Sequence, residues 1–228
     1  MENAPSLLDD AGAASVATMV MMSHHGFRRD LARFAAALKS AAGAGPDELA
    51  ALRDEWRSFR NTLHGHHDGE DKQLFPHLAG QHPALHPTME RLTADHRRID
   101  PLLERGDGAF AELPGMAPAA VQVIDQLRAL LDPHLATEEA ELIPHLRALK
   151  GFPPPASDEE AAMFADGFAW ASHGIAPDVL DQVYAALPAA VSARLPAARA
   201  AFQQRWRRAW GSAPVGAART PIPAGPES

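Results

Sequence analysis

A stretch of thirteen residues that contains His66 and Glu70 occurs twice in this chain. The copies HHDGEDKQLFPHL, from residue 66, and HLATEEAELIPHL, from residue 134, align without a gap at an offset of 68 and share six of thirteen residues. Both contain His-x-x-x-Glu, as His66/Glu70 and as His134/Glu138. On a helix, residues four apart lie on one face, with Cβ atoms about 6 Å apart. An imidazole and a carboxylate at this spacing can bind one metal ion, so the repeat predicts a metal site.

Two further histidines are predicted to complete this site from two other helices. His24 and His96 each precede apolar residues at helical spacing, which places them on core-facing stripes. With a rise of about 1.5 Å per residue, antiparallel helices bring His24 level with His66, and His96 level with Glu70. The predicted metal ligands are His24, His66, Glu70, His96, His134 and Glu138.

Nitrogen and oxygen donors of this kind suit iron, manganese or zinc, and two carboxylates can bridge two ions. A buried carboxylate without a compensating charge is costly, which favours a metal over idle polar groups in a core. One alternative stays open in the first copy. His67 and Asp71 are also four residues apart, and they become the ligands if the register shifts by one residue.

The elements that must position these residues are helices. Alanine is frequent and β-branched residues are scarce, a bias that favours helix over strand. Apolar spacing and Gly/Pro breaks predict an up-down-up-down four-helix bundle within residues 1–150, with a Gly- and Pro-rich loop at 106–118. The four helices are expected at 12–42, 47–80, 87–105 and 118–149.

Residues 151–211 are predicted to form a helical C-terminal extension, which completes an all-α fold. A Gly- and Pro-rich break, GFPPP, precedes it, and Ser157 is followed by an acidic run typical of a helix start. Helices are expected at 157–170, 177–187 and 189–210. The Pro-, Gly- and Ala-rich stretch 212–228 is predicted to be disordered.

Charge and composition exclude several classes of function. The net charge of -8 provides no basic face for nucleic acid. The absence of cysteine excludes disulfides and thiolate metal sites. The apolar run 13–22 lacks a basic segment before it and is too short to cross a bilayer. We therefore expect a cytoplasmic protein that binds neither nucleic acid nor membranes.

The order His24, His66/Glu70, His96, His134/Glu138 resembles the signature of the hemerythrin-like, or HHE cation-binding, family. The flanking strings HHGFRRDL and DHRRIDPLL are similar to its bacterial branch, and the resemblance covers residues 12–150. It implies a non-heme di-iron centre, bridged by both glutamates and by an oxo or hydroxo group, with zinc or manganese as alternative metals. Dioxygen, another small diatomic molecule or peroxide would bind at an open iron position.

The chain departs from this family at one place. Respiratory hemerythrins carry two histidines four residues apart on the third helix, and here the second position is Asp100. Either Asp100 is a ligand, or one iron keeps an additional open position. This difference argues against reversible oxygen carriage.

Three functions fit this pattern. The first is a metal-binding protein that binds or senses dioxygen, peroxide or nitric oxide, or contributes to iron handling. The second is a di-iron enzyme with peroxide-dismutating activity. The third is a helical interaction module with a structural zinc. We expect a metal- and oxygen-binding protein rather than a dedicated enzyme.

Overall fold

The computed structural model describes residues 7–9 and 11–211 of the chain. The regular elements within these residues are helices, and no strand forms among them. The predicted all-α fold class is therefore confirmed. The stretch 212–228, for which disorder is predicted, lies outside the described residues.

Long helices cover most of the predicted bundle, and shorter ones follow. The first five are α1 Val16–Ala37, α2 Pro46–Gly69, α3 Phe75–Gln81, α4 His86–Ala111 and α5 Ala117–Glu141. The others are α6 Ile143–Leu146, α7 Asp158–Ala171, α8 Pro177–Ala185, α9 Ala189–Ser192 and α10 Leu195–Trp210. Helix α4 packs along both α2 and α5. No helix among the described residues has the length and apolar character that a bilayer span requires.

Two predicted helix starts are capped by the residues that the sequence offers. Glu48 accepts a hydrogen bond from the backbone N–H of Gly45 at 2.9 Å, just before α2. The hydroxyl of Ser157 accepts one from the N–H of Glu160 at 3.1 Å, at the start of α7. Each bond satisfies a backbone donor that a helix N-terminus leaves without a partner.

A proline interrupts the helix at the same place in each copy of the repeat. In the first copy, a π-helical turn, Glu70–Leu74, joins α2 to α3, and the N–H of Phe75 donates to the carbonyl of Glu70. Pro76 has no N–H, and its ring needs the extra room that a wider turn provides. In the second copy, α5 ends at Glu141 and α6 begins just before Pro144.

The described residues form two compact units. One unit contains residues 27–141 and 205–211, and the other contains residues 142–204 together with the described residues up to 26. Each unit therefore combines residues of the predicted bundle with residues of the predicted extension. The division of the chain at residue 150 stays a prediction.

Aromatic rings form the core of the first unit. The ring of Phe34 lies 5.0 Å from Trp210, 5.3 Å from Phe110 and 5.7 Å from Phe59, measured between centroids. Trp56 stacks on Phe110 at 4.5 Å with an interplanar angle of 6°. Such contacts add about 0.5–1.5 kcal/mol per pair to the burial of apolar area.

Helix α4 continues through Gly106, where the sequence predicted the loop 106–118. The prediction is wrong for residues 106–111, which are helical. The reason is packing: a Cβ atom at Gly106 would lie 2.0 Å from the ring of Trp56. Only glycine lets the helix approach the indole so closely, and the contact offsets a helix-propensity cost of about 1 kcal/mol.

In the second unit, the start of α1 packs against the C-terminal helices. The ring of Trp170 occupies the space beside Gly26, where a Cβ atom would lie 2.4 Å from it. The imidazole Nε2 of His25 lies 2.9 Å from the carbonyl oxygen of His173, within hydrogen-bond distance. Gly174 follows with a positive φ of 87°. Through these contacts, the end of α7 and the residues after it pack against His25 and Gly26, which directly follow His24.

Candidate metal centre

Four buried side chains in the first unit form a group that can hold a metal ion. His67, Glu70, His96 and His134 each offer one ligand atom, and these atoms lie within 4.8 Å of one another. Helix α2 carries His67, the π-helical turn begins at Glu70, α4 carries His96 and α5 carries His134. Three helices and the π-helical turn thus bring three imidazoles and one carboxylate to one place.

Distances within this group are those of donors that face a common centre. The Nε2 atom of His96 lies 3.3 Å from Nε2 of His134 and 3.6 Å from Oε2 of Glu70. The ring of His67 stacks on that of His96 at 4.0 Å. Two Nε2 atoms at this separation cannot both carry a proton without repulsion, whereas a cation between them uses both lone pairs.

Glu70 also belongs to a second group of possible metal ligands. His66, Glu70 and Glu138 offer ligand atoms within 4.8 Å of one another. Oε1 of Glu70 lies 3.1 Å from Nε2 of His66, while Oε2 faces His96. Oε1 of Glu138 lies 3.4 Å from Nε2 of His134, a member of the first group. Glu70 is thus a member of both groups, and Glu138, a member of the second, also lies beside a histidine of the first.

Five of the six predicted ligands are brought together in this way: His66, Glu70, His96, His134 and Glu138. The sixth, His24, is fully buried on the part of α1 that belongs to the second unit. Its role as a ligand stays a prediction.

His67 is the residue that the predicted ligand set left out. It is 97% buried, and the repeat aligns it with Leu135, a fully buried apolar residue. The sequence offered His67 with Asp71 as an alternative to His66 and Glu70, and left open whether His67 is an additional ligand. The structure instead combines His66 and His67, because residues three and four positions before Glu70 both share its helix face.

Two carboxylates considered as additional ligands lie elsewhere. Oδ2 of Asp71 lies 3.0 Å from Nδ1 of His96, on the side of the ring away from the group. Asp100 is half exposed, and its Oδ1 lies 3.6 Å from Nδ1 of His64. Neither residue is a member of the two groups found among the described residues.

Burial governs the protonation of the site when no cation is bound. It raises the pKa of Glu70 well above its usual value, and the neighbouring carboxylates of Glu138 and Asp71 raise it further. Burial also lowers the pKa of His67 well below its usual value, with the nearby His96 adding to the effect. Burial lowers the pKa of His96, although the hydrogen bond that its ring donates to Asp71 acts in the opposite direction. Neutral imidazoles of this kind present lone pairs to a metal.

Several buried polar atoms of the first group lack hydrogen-bond partners among the described residues, which favours a metal-binding role over a purely structural one. Within the described part of the chain, neither ring nitrogen of His67 has a hydrogen-bond partner, and neither does Oε2 of Glu70. A buried polar atom left in this state costs about 1–3 kcal/mol. A cation coordinated by these atoms removes that cost, and mixed nitrogen and oxygen donors suit iron, manganese or zinc.

Comparison with known proteins agrees with this geometry. The family model described as "Hemerythrin HHE cation binding domain" matches residues 15–146, which include every side chain of both groups. No curated protein and no solved structure matches the chain. Since the matched segment covers more than half of the sequence, the chain belongs to the hemerythrin HHE cation-binding domain family.

Proposed function

We propose that this protein holds a pair of iron ions and uses them to bind or sense dioxygen, peroxide or nitric oxide, or to handle iron. The observation that carries the proposal is the position of Glu70 between the two groups. One of its oxygens faces His66 and the other faces His96. A carboxylate placed in this way suits two ions rather than one.

The proposed ligands divide unequally between the two positions. His67, His96 and His134 would hold one ion, while His66 and His24 would hold the other, with Glu70 and Glu138 shared. The second position has fewer imidazoles and therefore retains room for an external ligand. When bound, the iron pair supplies redox chemistry and affinity for small oxygen and nitrogen ligands.

Aromatic side chains enclose the site. Phe27 lies 5.1 Å from the ring of His66, and Phe75 stacks on His96 at 5.9 Å, measured between centroids. Both phenylalanines are buried. Apolar walls limit the access of water and strengthen the electrostatic interactions inside the site.

Metal content and absorption test the proposal. Metal-free protein is loaded anaerobically with ferrous iron, washed, analysed for bound metal and then exposed to air. We expect a pair of iron ions per chain and new near-ultraviolet absorption that the Glu70→Gln variant does not develop. A protein that binds one zinc per chain and no iron would contradict the proposal and favour a structural metal. Peroxide consumption by the loaded protein distinguishes a binding protein from an enzyme.

A further inference from the structure

We infer that Asp71 is a positioning residue, which holds the ring of His96 in the orientation and tautomer needed for metal binding. This inference rests on the proposed metal centre. Its starting point is the 3.0 Å separation between Oδ2 of Asp71 and Nδ1 of His96. Asp71 directly follows Glu70, so the π-helical turn delivers a ligand and this carboxylate from adjacent residues.

Both oxygens of Asp71 are engaged. While Oδ2 faces His96, Oδ1 accepts a hydrogen bond from the hydroxyl of Thr93. Thr93 precedes His96 by three residues on α4, so both lie on one face of that helix. The carboxylate is thereby fixed against the helix that carries the imidazole, and Phe75 covers the ring.

This hydrogen bond determines which nitrogen of His96 is available. A carboxylate accepts, so Nδ1 must carry the proton and Nε2 is left with a free lone pair. That Nε2 atom faces Oε2 of Glu70 and Nε2 of His134. A carboxylate behind a ligating histidine also makes its imidazole a stronger donor, and loss of such a partner typically weakens metal binding by roughly 10–100-fold.

The second copy of the repeat lacks this arrangement. Glu139, which aligns with Asp71, binds Arg28 through two contacts of 2.5 and 3.2 Å. The nearest carboxylate to Nδ1 of His134, that of Asp95, lies 3.8 Å away, beyond hydrogen-bond distance. Among His67, His96 and His134, His96 is thus the one histidine whose Nδ1 lies within hydrogen-bond distance of a carboxylate in the described part of the chain.

The hydrogen bond is tested first in the metal-free protein, by nitrogen-15 NMR of the imidazole of His96. We expect the Nδ1–H tautomer in the wild type and in Asp68→Ala, and its loss in Asp71→Ala, which removes the acceptor. Asp68 is a matched control because it lies three residues before Asp71, near the end of α2, and pairs with exposed Lys72. A wild-type ring protonated at Nε2, or a tautomer that Asp71→Ala leaves unchanged, would overturn the inference.

Metal binding is tested next, with Asp71→Asn, Asp68→Asn and Thr93→Val. We expect Asp71→Asn to bind ferrous iron roughly 10–100-fold more weakly and to raise the midpoint potential of the bound iron. Thr93→Val should have a smaller effect of the same sign, and Asp68→Asn none. Equal affinities and potentials for wild type and Asp71→Asn would overturn the inference while the proposed function stands. A wild-type protein that takes up no metal overturns the proposed function, and the inference with it.

Discussion

The carboxylate of Glu70 lies between two imidazoles, with Oε1 3.1 Å from Nε2 of His66 and Oε2 3.6 Å from Nε2 of His96. In the proposed centre, this position makes Glu70 the residue on which both metal positions would depend. Because it is buried and its pKa is raised, the metal-free protein gains little from its charge.

Glu70→Gln is therefore expected to abolish metal binding at both positions without unfolding the protein. The amide keeps the shape of the side chain and removes a charge that is costly in the interior. At a metal concentration of about 100 times the Kd, each occupied position should add about 2.7 kcal/mol to the free energy of unfolding of the wild type, and the variant should gain nothing. Denaturant unfolding with and without metal measures both values. A metal-dependent gain in Glu70→Gln would exclude a shared ligand at this position.

His67→Leu gives the first copy of the repeat the leucine that the second copy has at position 135. We expect a loss of metal affinity and of one metal per chain, because the first position loses an imidazole. The metal-free variant should be more stable by about 1–3 kcal/mol, since a buried ring without hydrogen-bond partners is replaced by an apolar side chain. Metal titration and unfolding measure the two effects. His64→Leu, on the same helix but half exposed, should change neither.

Asp100 stands where respiratory hemerythrins carry a second histidine on the third helix. Asp100→Asn tests whether it takes part in metal binding. The side chain is 52% exposed and contacts His64 rather than the metal groups. We therefore expect the affinity for iron to stay within the error of a titration. A marked loss of affinity would return Asp100 to the set of ligands.

The close approach of α4 to Trp56 gives a paired test of stability. Gly106→Ala should destabilise the protein by about 1–3 kcal/mol, because its Cβ atom would overlap the indole ring. Gly108→Ala, on the same helix, has no atom within 4 Å of the new Cβ and should stabilise by about 0.5–1 kcal/mol. Urea unfolding of both variants compares them directly, and a stabilising Gly106→Ala would contradict the packing argument.

Glu55 links stability to pH. Burial raises its pKa, despite the opposing charge of Arg205, whose Nε lies 2.8 Å from Oε1. A raised pKa means that the folded state binds a proton more tightly than the unfolded state. The stability of wild type relative to Glu55→Gln should therefore increase as the pH falls through the raised pKa toward the usual value of 4.5, and level off below it. Unfolding of both proteins between neutral pH and pH 4 measures this difference, and an opposite slope would indicate that Arg205 dominates.

The sequence predicted much of the clustering of these side chains, because the repeat preserves a spacing that a helix converts into proximity. His66/Glu70 and His134/Glu138 needed only the i, i+4 relation, and the spacing of apolar residues added His96. His67 was harder to assign as a member of the group, since two adjacent residues of a helix usually face in different directions. Its inclusion depends on the position of Glu70, which is three residues from one histidine and four from the other.

The extent of α4 could not be read from the sequence for a different reason. Gly106 and Gly108 both lie within eight residues of Pro114, and by local preference such a stretch resembles a loop. The helix continues because Gly106 lets the backbone approach Trp56, and this contact involves residues fifty positions apart. Local propensity contains no information about such a distant partner.

Trp210 lies 5.0 Å from Phe34 in the aromatic core of one unit, and Trp170 fills the space beside Gly26 in the other. A protein shortened to residues 1–150 would keep every proposed metal ligand and still lose an aromatic side chain from each core. We therefore expect the truncated chain to melt at a lower temperature and to bind iron less tightly than the chain of 228 residues. The proposed metal ligands are thus confined to the first two thirds of the chain, whereas each of the two cores includes an aromatic side chain from beyond residue 150.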